Sequence, residues 1–557
     1  MSGARPGWPA ARRPGFALWV AISLLPACSP SATPSAPPAS GASIGVGARL
    51  AERQELRRAL DSGDLRSLDP SLATDVAANR VLDDLFEGLM RPDQQGTPVA
   101  GVAERWESSS DGLTWTFHLR AANWSNGEPI TAGDFVYAWR RTVDPRTASD
   151  YAEALAPVRN ALAIAAGRAA PETLGIDAPE ARTVRVHLNA PTPYFLSLLT
   201  KPYTYPQYAP AIRQFGDDWT QPAHLVGNGA FRLSEFVLGG RITLLKNPRY
   251  WQAAAVRLTQ VVYQPVDRSV QTDRFFAGEL DFTESFPAEQ TAWLRQRLGA
   301  QVVSAPYLGN FVLGINAQRP PFAGNRALRL ALNLAVDRDV LVRYVRQGLY
   351  QPAWTPTPPL RGYAAPQPAW ARLSPEQRHA LARQYYAQAG YSAGHPLRVE
   401  LDYPTDSDNR RTYEAVAAMW HANLGAEVAT YNEEFRVQLN ERHLRKLALF
   451  HYAWIGDYPD PYTFLQLFRT GNGYNDGGYY NARFDALLER ADHEVDAAQR
   501  LQLLAQAEAL LDDDVACIPL YYHASRHLIK PYVRGWSSNI EDRNLSQYLY
   551  LMARETH

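Results

Sequence analysis

Cysteine is nearly absent from this sequence: among 557 residues only Cys28 and Cys517 carry thiols. A disulfide framework is therefore excluded, and stability must come from the size of the buried core. Excess charge of either sign is missing as well. With 56 Lys and Arg against 57 Asp and Glu, the formal charge is -1, which excludes a broad electrostatic attraction to nucleic acid. Long apolar runs are scarce, and the one near the N-terminus, FALWVAISLLPA, is too short to span a bilayer comfortably. Metalloprotease-type, paired-cysteine and nucleotide-dependent sites have no support either, because H-E-x-x-H, C-x-x-C and the P-loop pattern do not occur. His523 and His527 are four apart inside a predicted strand, a spacing that does not aim two ligands at one metal. No catalytic residue, metal or cofactor is expected.

What the chain does have is apolar and aromatic mass: 46% of its residues are hydrophobic, with 14 Trp and 29 Tyr. That is more aromatic surface than cores usually consume, so aromatic-lined clefts are expected. Arg5, Arg12 and Arg13 precede the N-terminal apolar run, which ends in LPAC. This resembles a bacterial lipoprotein signal, 1–27, with lipidation expected at Cys28 and a flexible tether, SPSATPSAPPASGAS, within 28–43. Cys517 in VACIPLYY reads as a buried small hydrophobe.

From about residue 50 onward strand and helix patterns alternate, giving an α/β fold. LTWTFHLR places Leu113, Trp115, Phe117 and Leu119 on one face, and TVRVHL does the same with Val184, Val186 and Leu188. Between them ITAGDFVYAWRRTV has helical spacing, opened by Thr131. Leu328, Ala331, Leu332 and Ala335 form a helical stripe, and Asp337 is expected to cap a second helix running to Gly348. Ser374, Pro375 and Gln377 compose a capping box for a helix that Gly390 ends. LRVELDYP and CIPLYYHASRHLIKP return as strands, separated by a helix over about 496–511, so the second half predicts a mixed sheet covered by helices.

One stretch poses a chemical question. HYAWIGDYPDPYTFL sets Asp457 and Asp460 among aromatic rings and prolines. A carboxylate beside apolar rings loses hydration and needs a cation or several donors, supplied either by the protein or by a ligand.

Several segments, in order, resemble the periplasmic oligopeptide-binding family, the family 5 extracellular solute-binding proteins of ABC importers. They are SLDPSLATDVAANRVLDDLFEGL, GVAERWESSSDGLTWTFHLRAANWSNGEPITAGDFVYAWRR, VDPRTASDYA, NGAFRL, KNPRYW, INAQRPPF, LNLAVDRD and GDYPDPYTFL. The resemblance implies a periplasmic-binding-protein-like fold of two lobes around a hinge plus an extra domain. Lobe one would comprise 44–86, 209–308 and 525–557, the extra domain 87–208 and lobe three 309–524. The chain would cross between lobes near Leu308 and Ser525.

The resemblance also implies a function: capture of short peptides by backbone pairing and delivery to ABC permease and ATPase subunits, from a lipid-anchored position in the periplasm or cell envelope. Asp457 would pair with the free α-amino group of the peptide. The backbone of Ala453, Trp454 and Ile455 would form one pairing strand, and Thr74, Asp75 and Val76 a strand on the other lobe. Tyr151, Tyr307 and Phe435 would wall the pockets. For the peptide carboxylate, Arg442 and His443 match the family and Arg346 stands where a lysine is usual. His451 replaces an arginine, Asn409 a histidine, and His523 a cleft tyrosine. An exposed imidazole near its usual pKa of about 6.5 would hold a carboxylate less firmly than Arg. Gly309 and Ile455 occupy the positions of the family's inter-strand cysteine pair. Alternatives within the fold are murein peptides, dipeptides, metal chelates or haem; outside it stand a periplasmic peptidase or a folding helper.

Overall fold

Period-two patterning builds three separate larger sheets, and the way the chain passes between them positions the site. The computed structural model describes residues 49–61, 65 and 67–554; the signal segment, Cys28, the tether and the first residues of the expected lobe one lie outside the described residues. Among the described residues no helix is long and apolar enough to cross a membrane.

One antiparallel sheet contains Ala103–Ser108, Thr114–Leu119, Thr183–His187 and Ile176–Glu180, in that spatial order. Phe117 pairs with Val184 and Trp115 with Val186, so the alternation read from sequence lines one buried face. Helix Ala132–Val143 covers that face with Phe135, Ala138 and Trp139 fully buried. Its start is closed by Asp134, whose carboxylate accepts from the Thr131 N–H at 2.7 Å and the Thr131 hydroxyl at 3.0 Å. A second sheet orders Glu55–Leu60, Gln260–Pro265, Arg241–Lys246 and Phe231–Val237, its first two strands parallel although about 200 residues apart. The C-terminal segment returns to it, the Ala51 N–H donating to Leu551 O at 2.9 Å. These two sheets share one continuous apolar core that reaches from Leu56 to Leu551.

The third sheet is mixed, as expected, with order Gln351–Pro352, Cys517–Leu528, Val302–Ile315, Leu449–Ile455, Arg398–Pro404 and Glu427–Glu433. Helices Arg326–Leu334, Pro375–Gln388, Ser407–Leu424 and Ala497–Asp514 belong to this half, and its apolar clusters centre on Trp420 with Leu332 and on Phe464 with Leu504. Ser374 and Gln377 form the expected capping box. The segment after Asp337 departs from expectation: one α-turn, Arg338–Val340, widens into a π-turn over Leu341–Val345 and stops before Gly348.

The two longest strands of the third sheet tie the halves together. Val302–Ile315 and Cys517–Leu528 pair from Val302↔Leu528 to Pro306↔Ala524, break, and resume at Asn310↔Tyr522. Pro306 has no N–H to give the ladder. Leu308 turns its own N–H away, to Ile540 O at 2.6 Å. The break therefore falls beside Leu308 and Ser525.

Arg338 pins the third sheet to its helices. Fully buried, it donates Nε to the carbonyls of Ala353 and Pro519, both at 2.8 Å, and Nη1 to Asn333 O at 3.1 Å, between the rings of Trp354 and Trp370. Burial, with Arg378 nearby, pushes its guanidinium down to about 9. Replacing it orphans several buried carbonyls, so Arg338→Met should cost about 3 kcal/mol or more, read as a lower urea midpoint at unchanged m-value.

Candidate functional site

The strand Leu449–Ile455 places the candidate site. One edge is fully paired, Gly309↔Ile455 through Ile315↔Leu449. Its other edge meets the parallel strand Arg398–Pro404 only at Asp402↔Phe450. Beyond Phe450 the backbone of Ala453, Trp454 and Ile455 therefore presents an open strand edge, the arrangement that accepts an added strand. Two side-chain contacts fix the strand: the Trp454 N–H donates to Asn310 Oδ1 at 3.2 Å, and Trp454 Nε1 to Thr463 Oγ1 at 3.3 Å.

A tight exit from this strand sets Asp457. The Gly456 N–H donates to Leu308 O at 2.8 Å, and a Cβ there would lie 2.8 Å from Leu308 Cγ and 2.9 Å from Thr463 Cγ2, so only glycine fits. The Asp457 N–H then donates to Thr463 Oγ1 at 3.2 Å. Among the described residues no group hydrogen-bonds the Asp457 carboxylate or stands within ion-pair distance of it. Its side chain is open to water yet sits in a recess of rings: Tyr151, Tyr203, Tyr458 and Tyr474 all feel its charge. Loss of hydration in that recess pushes its carboxyl above the usual range, against Lys201 and with help from Glu541. Lys201 cannot neutralise it, being committed to Glu541 at 2.5 Å.

Asp460 is a different kind of carboxylate. It is buried, takes Arg500 Nη1 at 2.7 Å and Nη2 at 3.1 Å, and accepts the Tyr462 N–H at 2.9 Å. Arg500 in turn lies over Tyr194, whose ring stacks on Tyr458 at 4.0 Å. Through these contacts Asp460 anchors the loop that carries Asp457.

Opposite, Tyr151 stacks on Tyr203 at 5.0 Å and its hydroxyl lies 3.4 Å from Thr74 O. Thr74, Asp75 and Val76 do not form the expected strand. Asp75 has extended backbone, but its side chain caps helix Val76–Leu85 by accepting the Ala78 N–H at 2.6 Å, and Val76 is already helical. Only the stretch up to Asp75 offers extended backbone, because the cap commits the rest to a helix.

The residues expected to hold a carboxylate meet different fates. Arg442 and His443 converge on Asp476, with Arg442 Nε and His443 Nδ1 each 2.7 Å from its two oxygens. The Arg442 contact is electrostatic rather than a well-angled hydrogen bond. Arg442 is buried, with its guanidinium over the Tyr452 ring, so it is not the free cation expected. His451 is buried against the Tyr413 hydroxyl at 2.5 Å. The expectation of an exposed imidazole near its usual pKa fails there, because burial, with Arg442, drives it down to about 3. Asn409 is tied into the start of helix Ser407–Leu424, its side chain donating to Pro404 O at 3.2 Å. Arg346 is buried and reaches Asp408 at 3.3 Å and Tyr350 Oη at 3.0 Å.

His523 lies between Phe311, at a ring distance of 4.1 Å, and Tyr307, at 6.0 Å. Burial and then Arg346 and Arg526 push it down to about 3. Phe435, by contrast, is exposed at the start of helix Phe435–His443. Sequence reading missed Lys201, Tyr203, Tyr350, Tyr474, Asp476, Arg526 and Glu541. GNGYNDGG signals only a turn, and nothing in its spacing announces that Asp476 engages both Arg442 and His443.

Gly309 and Ile455 are direct register partners, so the two positions that the resemblance equates with a cysteine pair do face each other. Cys517, the cysteine among the described residues, is buried and free. Both His451 and His523 should stay neutral from pH 8 to about 5, as read by imidazole ¹⁵N shifts. Because both folded pKa values lie below the unfolded one, their contribution to stability is complete above about pH 6.5 and lost as pH falls from there toward about 3.

Comparison with known proteins places this geometry. The family described as bacterial extracellular solute-binding proteins, family 5 middle, matches residues 97–476. The periplasmic oligopeptide-binding protein OppA of Salmonella typhimurium is 38% identical over 515 residues, covering 90% of this chain and 94% of its own. The periplasmic murein peptide-binding protein MppA of Escherichia coli is 36% identical over 517 residues, covering 92% and 96%. Among solved structures, the unliganded open form of the murein tripeptide-binding protein MppA superimposes with a TM-score of 0.81 at 35% identity, over 92% of this chain and all of that one. An open strand edge beside an unneutralised carboxylate thus sits on a periplasmic-binding-protein fold, and the chain belongs to the family 5 bacterial extracellular solute-binding proteins.

Proposed function

We propose that this chain is the peptide-capturing subunit of an ABC importer, gripping the ligand backbone along Ala453 to Ile455 and its free α-amino group at Asp457. One observation carries this reading: a carboxylate with no hydrogen-bond or ion-pair partner among the described residues lies two residues beyond an unpaired strand edge. An ammonium arriving with an extended chain satisfies both at once. The names of OppA and MppA, oligopeptide-binding and murein peptide-binding, point to the same cargo class. The chain would hold its ligand and release it to a permease powered by partner ATPases, without chemistry of its own. Its place would be the periplasm, with Cys28 as a lipid anchor.

Closure would turn about the interrupted strand pair at Pro306 to Asn310. The proposed moving parts are 309–524 on one side and, on the other, 44–86, 209–308 and 525–557 together with the extra domain 87–208. Support comes from the cores: one apolar cluster spans the first two sheets, while other clusters serve the third, the two sides meeting where Tyr194 stacks on Tyr458. Ligand touching both sides would favour the closed population.

The electrostatics supply the test. Without ligand the Asp457 carboxyl is held above its usual range, and an ammonium partner favours the ionised form, so affinity should be complete at neutral pH and decline as pH falls through that raised value. Asp457→Ala should weaken binding of free-amine peptides by roughly 30-fold or more in calorimetry. It should also remove the preference over N-acetylated peptides and flatten the pH profile. Equal affinity of wild type and variant for free-amine peptides would overturn the assignment, and time-dependent cleavage of peptides by purified protein would overturn the transport reading.

A further inference from the structure

Arg526, on the strand Cys517–Leu528, is 7% exposed. Its partners are two neutral hydroxyls: Nε donates to Ser285 Oγ at 3.2 Å and Nη1 to Tyr350 Oη at 3.0 Å. The Phe286 ring lies 5.9 Å away, and Nη2 has no hydrogen-bond partner among the described residues. A guanidinium is a fork of five donors, and a covered cation with no carboxylate in contact is costly; the charge of Asp408 reaches Arg526 only from beyond ion-pair distance.

The surroundings make the omission specific. Tyr350 Oη also accepts from Arg346 Nη2 at 3.0 Å, so two guanidiniums converge on one phenol. Arg346 has Asp408 at 3.3 Å, Arg411 is paired with the same Asp408, and Arg268 has Asp61 at 3.0 Å. Of the four arginines around this corner, Arg526 alone has no carboxylate within ion-pair distance among the described residues. Its neighbours come from both sides of the interrupted strand pair. Ser285 and Phe286 follow the second sheet, whereas Tyr350 precedes the edge strand of the third. His523, 6.5 Å from the Tyr350 ring and 4.1 Å from Phe311, links this corner to the aromatic wall that backs the open strand edge. The imidazole is neutral and adds no competing anion.

We propose that Arg526 receives a carboxylate of the bound ligand, with Ser285 and Tyr350 orienting its guanidinium and Nη2 left for the incoming oxygen. This rests on the peptide-capture reading and adds the residue that answers the ligand's negative charge, as Asp457 answers its positive one. The carboxylate is either the peptide C-terminus or an acidic side chain; both present the same planar acceptor pair.

Isothermal calorimetry on the full chain tests it, with alanyl peptides of two to five residues as free acids, as C-terminal amides, and as amides carrying one glutamate. For at least one length, wild type should prefer the free acid over the plain amide, or the glutamate amide over it, by about 10-fold or more. Arg526→Met should bring the preferred acid down to the affinity of the plain amide, and Arg526→Lys should retain part of the preference. Which acid is preferred identifies the source of the carboxylate. Because the readout is a ratio between ligands on one protein, a variant that binds the plain amide is folded, and Arg526→Lys stands in if Arg526→Met does not bind it. A preference in the variants equal to that of wild type would overturn the role of Arg526, as would the absence of any preference in wild type. Failure of wild type to bind any of the peptides would instead overturn the peptide reading itself.

Discussion

Two adjacent antiparallel strands carry the ladder between two separately packed cores, and the rest of the molecule is arranged around the break in that ladder. Pro306 cannot donate, Leu308 gives its N–H to Ile540, and pairing resumes only at Asn310. A backbone hydrogen bond removed from a ladder costs little when the group finds another acceptor, but it leaves the crossing without local cross-strand reinforcement. The same interruption lies next to Gly309, Trp454 and Gly456, so the break in the ladder and the open strand edge are neighbours.

Most charged groups around Asp457 and along the third sheet are already satisfied within the protein. Arg442 and His443 are spent on Asp476, and Asp460 on Arg500. His451 and His523 are neutral because burial makes their cationic forms expensive. Lys201 is held by Glu541. Among the described residues, the Asp457 carboxylate has no cation and the Arg526 guanidinium no carboxylate within ion-pair distance.

Much of the fold was legible from short-range signals. The alternation in LTWTFHLR and TVRVHL, the capping residues Thr131 and Ser374, and the stripe at Leu328 to Ala335 each describe contacts within a few residues, where periodicity is informative. The mixed nature of the third sheet was legible from its strand and helix order. Asp457 was legible as an anomaly, a carboxylate among rings. What sequence could not carry was long-range pairing. Whether a histidine at 451 is exposed depends on Tyr413, 38 residues away, and whether Arg442 is free depends on Asp476. Asp75 was misread because a residue matching a strand in relatives also makes a good helix cap, and its short carboxylate takes the Ala78 N–H.

Gly309 and Ile455 face one another where a covalent staple could join the two central strands, and neither carries sulfur. Hydrogen bonds and packing alone hold the strand Leu449–Ile455 in register. Cys517, buried on the neighbouring strand, has no second described thiol to meet. Among the described residues the fold therefore holds no disulfide for an oxidant to make or a reductant to break, and the register of its central strands does not depend on thiol chemistry.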